Sequence, residues 1–173
     1  MGARGIPGPG PSDPSQAEIK AAFLLNFARF AEWPANFVPA SPTLLLFCFD
    51  GAEDVRIAFE SVAGGKEITG RKIENRKISL PADARTCDVV FANDSKHDLE
   101  MKLLKTAQDA GALTVGDGPD FITCGGMIQL VVDDNRMRFD INVAAVSRAN
   151  LKLSSKLLAL ARHVVDLPVE AAK

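Results

Sequence analysis

The sequence predicts an α/β domain, a three-layer sandwich in which a mostly parallel, mixed sheet carries helices on both faces and an antiparallel hairpin near its carboxyl end. Three observations carry this reading. Residues 43–49 (TLLLFCF), 87–92 (CDVVFA) and 112–115 (ALTV) are short, almost wholly apolar runs, the pattern of strands buried on both faces. Between them lie segments with apolar residues three and four apart, so strands and helices alternate along the chain. Residues 127–132 and 136–141 then flank Asp133-Asp134-Asn135, a good hairpin connection.

Residues 16–33 open the domain as a helix. Ile19, Phe23, Phe27 and Phe30 recur at helical spacing, and Ser15 with Glu18 three residues on forms a capping box. Pro34 fixes the end, because its ring disfavours a helical Trp33. After the first buried strand, residues 53–62 read as a short helix closed by Gly64-Gly65, and residues 72–80 as an exposed or edge strand. Residues 99–110 follow as a helix ended by Gly111 in the C′ position. The last long element, residues 154–165, reads as one helix with Leu157, Leu158, Ala161 and Val164 on its face.

Residues 1–15 hold four of the ten prolines and four of the thirteen glycines, so they read as a linker outside the fold. They lack an apolar h-region and are not an intact signal peptide. A single domain is expected over residues 16–167, with 168–173 as a tail. Apolar residues make up 47% and charged residues 24%, a globular balance. The net charge of −2 argues against nucleic acid or an anionic lipid surface as a partner. No apolar run reaches the roughly 20 residues that span a bilayer, so no direct membrane insertion is expected.

Catalytic chemistry finds little footing. His97 and His163 are far apart and belong to no CxxC, HxH or HExxH pattern, so no metal site is expected. There is no GxSxG elbow, and Gly116-Asp117-Gly118 lacks the third glycine of a dinucleotide loop. We expect no cofactor and no enzyme. Asp50, Asp94 and Asp117 each fall just beyond a predicted buried strand, where open parallel sheets bind ligands. They are the candidate ligand crevice, although aspartate is also common in loops for turn reasons. Cys48 lies in the first buried strand and Cys87 opens the second. Their sulfurs meet if those strands are neighbours, and two buried thiols are the alternative; the residues alone leave both open. Cys124, beside Gly125-Gly126, is left over as a candidate free thiol.

Two blocks carry a resemblance. One is Ala21-Ala22-Phe23-Leu24-Leu25-Asn26-Phe27-Ala28-Arg29-Phe30 with Glu32-Trp33-Pro34. The other runs Gly125-Gly126-Met127-Ile128, Arg138-Phe139-Asp140-Ile141-Asn142 and Leu151-Lys152-Leu153-Ser154-Ser155-Lys156-Leu157-Leu158. In this order and spacing, over residues 17 to 165, they resemble the YfiR-like family.

The resemblance implies an exported, periplasmic regulator. Such a protein binds the periplasmic part of an inner-membrane diguanylate cyclase and represses it, lowering cyclic di-GMP and influencing biofilm formation. It also implies a homodimer and a disulfide between Cys48 and Cys87. A second bridge of the family would involve the region of Cys124, but this chain has no fourth cysteine, which puts redox control through that bridge in doubt. Phe27, Trp33 and Pro34 are candidate partner-facing residues, with core packing the alternative. A periplasmic small-ligand sensor with a different signalling partner is the competing function.

Overall fold

The computed structural model describes residues 15–35, 37, 39–93 and 97–168. The first helix, α1 (Gln16–Arg29), starts as its capping box requires: the Ser15 hydroxyl accepts the Glu18 N–H at 3.1 Å and the Glu18 carboxylate accepts the Ser15 N–H at 2.8 Å. It ends earlier than the sequence suggests. Ala31–Glu32 (β1) leave the helix to pair antiparallel with Lys152–Leu153 (β9), so Trp33 is not helical.

β2 (Leu44–Asp50) is buried along its centre and feeds α2 (Glu53–Ala63). A hairpin of β3 (Glu67–Ile68) and β4 (Arg71–Ile78) follows, then a 3-10 helix (Pro81–Thr86) and β5 (Val89–Ala92). α3 (His97–Asp109) runs to Gly111, whose φ of +85° is the left-handed cap conformation that favours glycine. β6 (Leu113–Gly116) precedes the hairpin of β7 (Ile128–Asp133) and β8 (Arg136–Asn142), and α4 (Val143–Arg148) comes next.

The closing segment corrects the sequence reading. The expected helix over residues 154–165 is only α5 (Ser155–Leu160), and His163–Val165 form a strand, β10, parallel to β8. The apolar spacing of Leu157, Leu158, Ala161 and Val164 suits a helix, but pairing with β8 overrides it.

The eight-stranded sheet has the order β10-β8-β7-β6-β5-β2-β4-β3. Five of its seven neighbouring pairs are parallel; β7–β8 and β3–β4 are antiparallel. β4-β2-β5-β6-β7 is a doubly wound core in which the chain reverses direction between β2 and β5. Alternation within β2 feeds both faces. Leu45, Phe47 and Phe49 join Phe27, Phe59, Phe91 and Phe139 beneath α1 and α2, while Leu46 and Cys48 join Val90, Leu103 and Leu104 beneath α3 and the 3-10 helix. Helices therefore cover both faces, as expected. Met127 also joins the sheet, donating its N–H to the buried Thr114 hydroxyl at 3.1 Å.

Candidate interaction surface

Cys48 and Cys87 form a disulfide, with Cα atoms 6.0 Å apart. β2 and β5 are adjacent and in register, Cys48 opposite Val90, and Cys87 lies just ahead of β5, so the bridge crosses neighbouring strands on the α3 face. Both cysteines are buried. Asp88, the next residue, anchors the same corner: its carboxylate accepts the Leu46 N–H at 2.8 Å and an Arg71 N–H at 2.9 Å. Arg71 also donates to the carbonyls of Ser41 and Leu44 at 3.1 and 2.6 Å. Burial is the main influence on the Asp88 carboxyl and raises its pKa despite Arg71. Cys124 stands outside the disulfide, half-buried at the rim of the second core.

The candidate ligand crevice is only partly assembled. Asp50 ends β2 at the point where the chain reverses, its Cα in register with Ala92 and hence with Gly116. Burial pushes its carboxyl up. Asp117 lies on the same sheet edge, beyond the end of β6 and two strands from Asp50. It is held by α1, because Lys20 Nζ donates to its carboxylate at 2.7 Å. Asp94 lies outside the described residues. Among the described residues no cluster of three or more His, Cys, Asp or Glu side chains is arranged to hold a metal.

The three candidate partner-facing residues separate. Phe27 is withdrawn: it is 0% exposed, with its ring 5.0 Å from Phe139 and 5.7 Å from Phe23. It sits on the face of α1 that packs against the sheet, so it is core. Trp33 and Pro34 are half-buried. The Trp33 indole donates to the Gly111 carbonyl at 3.0 Å, and its ring lies 6.1 Å from Phe37. The loop is thereby fixed against the carboxyl end of α3. Beside it opens a cavity of about 600 Å³ walled by Pro34 and Phe37, with the last residues of α3 and α4 as its other sides. This preformed cleft is the geometric candidate for recognition that the sequence pattern did not reveal, since its sides come together from three distant segments. Phe37 carries a signal in the sequence, an aromatic side chain close after Trp33-Pro34.

The glycines of the second block have a packing role. The Phe121 ring lies over Gly116 and Gly126, where an added Cβ would sit 2.3 and 2.1 Å from ring atoms. Gly125, at φ +109°, makes the turn. Asn142 of the same block is buried and binds the backbone of the closing segment.

A family model described as YfiR/HmsC-like matches residues 17–162. The chain belongs to the YfiR/HmsC-like family. The family is one of periplasmic regulators of diguanylate cyclase signalling. No curated protein matches the chain. Among solved structures, this YfiR/HmsC-like chain resembles a conserved domain protein from Vibrio cholerae O1 biovar El Tor, with a TM-score of 0.57, 13% identity, and coverage of 88% of this chain and 61% of that one. It also resembles the ABC domain in complex with L-Trp from Streptococcus pneumonia, with a TM-score of 0.57, 10% identity, and coverage of 84% and 60%. At these identities the likeness is one of α/β fold. The chain spans about three-fifths of the length of each of these two structures. Among its described residues no helix is long and apolar enough to cross a membrane.

Proposed function

We propose that this YfiR/HmsC-like protein is a periplasmic repressor that binds the extracytoplasmic part of an inner-membrane diguanylate cyclase. Holding that enzyme inactive lowers cyclic di-GMP and restrains biofilm formation. The observation that carries this reading is the family match over residues 17–162. Trp33 and Pro34 are the candidate contact residues, because Pro34 lines the cleft, Trp33 anchors the loop beside it, and tryptophan is enriched at interaction hot spots. We further propose that the repressor works as a homodimer and that the disulfide is formed in its working state.

The test is capture from solubilised envelopes of the source organism with the oxidised protein as bait. Recovery of a membrane protein bearing a cytoplasmic cyclase domain, lost when the bait is denatured, supports the reading. Recovery of soluble or outer-membrane proteins alone counts against it.

One observation favours a small-ligand input as a second reading. Asp50, with its raised carboxyl, stands where doubly wound sheets bind ligands. A saturable thermal shift with a metabolite, abolished by Asp50→Ala, supports that reading; no shift across a metabolite panel removes it.

A further inference from the structure

A cavity of about 230 Å³ lies at the start of β2, at the opposite end of that strand from Asp50. Leu44, Leu46 and Ala40 supply its apolar lining, and Arg76, Thr86 and Asp88 its polar groups. Leu46 and Cys48 share the α3 face of the sheet, and register sets Arg76 beside Cys48. Asp88 is 3% exposed, yet its carboxylate is unevenly satisfied. The N–H groups of Leu46 and Arg71 both reach the same oxygen, Oδ2. Oδ1 accepts no hydrogen bond from the described residues and is not sealed off, so it opens onto the cavity that Asp88 lines. Burial raises this carboxyl, as it does for a charge short of donors. Across the cavity, Arg76 meets no carboxylate among the described residues and reaches the Thr86 hydroxyl at 3.4 Å. The nearby Asp83 turns its carboxylate to the N–H groups of Ser79 and Leu80 instead. Lys72, Glu74 and Arg76 alternate along this face of β4, so its charge is net positive.

We propose that this cavity binds a short linear hydroxy acid, with its hydroxyl on Asp88 Oδ1, its methylenes on Leu44 and Leu46, and its carboxylate on Arg76 and Thr86. Each part of the ligand answers a part of the lining. A buried carboxylate oxygen without a partner calls for a donor. Arg71 already neutralises Asp88, so an ammonium group there would leave a net positive charge buried. A hydroxyl donates without adding charge, and its bond to a carboxylate is of the short, strong kind. The net positive rim favours an anionic head. The volume falls below the roughly 300 Å³ at which pockets for drug-sized molecules begin, which suits a ligand of few atoms. The site is separate from the cleft beside Trp33 and from Asp50, and the inference does not depend on the repressor reading.

The test is an amide NMR titration of the full chain with ω-hydroxyhexanoate, and with hexanoate, hexanol and ω-aminohexanoate as its three controls. Saturable shifts at the amides of Leu46, Thr86 and Asp88 are expected with the hydroxy acid. Hexanoate lacks the donor, hexanol lacks the anion and ω-aminohexanoate carries a cation, so each is expected to bind at least about tenfold more weakly. Arg76→Ala, an exposed position, is expected to weaken the hydroxy acid by about tenfold or more and leave hexanol unchanged. Asp88→Asn is expected to remove the preference for the hydroxy acid over hexanoate, in a protein whose thermal melt shows it folded. Where that variant does not fold, the hexanoate comparison tests the same contact from the ligand side. No saturable shift at these amides overturns the proposal, as does hexanoate binding equal to that of the hydroxy acid. Tighter binding of ω-aminohexanoate also overturns it and assigns the cavity to an amine.

Discussion

Asn142 holds Leu167 by both of its backbone groups: Nδ2 donates to the Leu167 carbonyl at 3.2 Å and Oδ1 accepts the Leu167 N–H at 3.0 Å. The side chain does what a neighbouring strand would do. The same Oδ1 accepts the Ala144 N–H at 3.1 Å and caps α4. One fully buried amide thus joins the end of β8, the start of α4 and the segment beyond β10.

Asn142→Ala removes all three bonds and leaves the Ala144 N–H and both Leu167 backbone groups without this partner. The expected loss is about 2–4 kcal/mol of unfolding free energy, read from urea denaturation. Asn142→Asp keeps the acceptor but turns a carboxylate towards the Leu167 carbonyl, so it is expected to recover only part of the loss. Hydrogen exchange at residues 163–167 should accelerate in both variants more than exchange in β2 or β5.

The disulfide closes a loop with a sequence separation of 39. Loop-closure entropy alone assigns such a bridge about 4 kcal/mol. The Cys48→Ala/Cys87→Ala double variant is therefore expected to lose several degrees in thermal midpoint. Reductant should lower the wild-type midpoint and leave the double variant unmoved. An equal effect of reductant on both proteins would contradict the assignment.

Gly126 lies under the Phe121 ring, where a Cβ has no room. Gly126→Ala is expected to cost about 1–3 kcal/mol through overpacking. Phe121→Ala leaves a cavity and is expected to cost about 3–5 kcal/mol. In the double variant the alanine methyl enters that cavity, so its total cost should fall below the sum of the two. Additive costs in the urea series would show that the ring and the glycine are not coupled.

Asp140 gives stability a definite dependence on pH. Burial by itself raises its carboxyl, but the hydrogen-bonded fork and charge of Arg162, with His163, outweigh that and hold it below the ordinary 3.8. A carboxyl lowered by folding adds stability above its unfolded pKa, and that contribution is lost as pH falls through the folded value. Asp140→Asn should thus be less stable than the wild type near neutral pH. The gap should close once the pH is well below 3.8. A gap of constant size across the series would mean that the ion pair is not its source.

Local signals in the chain were sufficient for the central architecture. The apolar run of β2, the capping box at Ser15 and Glu18 and the cap at Gly111 each express a constraint contained in a few neighbouring residues. Features that depend on distant residues were not legible. Val164 continues the helical spacing of Leu157 and Leu158, yet it is strand because β8 lies alongside. Phe27 belongs to a helix aromatic on more than one side, and only the packing of Phe139 shows which ring is inside. At the candidate site, Trp33 and Pro34 were marked by residue type, whereas Gly111 and Arg148 reach the cleft beside them from separate segments. The pairing of Asp117 with Lys20, 97 residues away, likewise has no trace in local pattern.

The most direct test of the repressor account is cyclic di-GMP synthesis by the full-length cyclase from the source organism, reconstituted in proteoliposomes with its periplasmic part outward. Nucleotide is loaded inside, and the oxidised protein is added outside. The account predicts a saturable fall in synthesis, weakened by Trp33→Ala in a variant that melts like the wild type. Undiminished synthesis with saturating folded protein would contradict it.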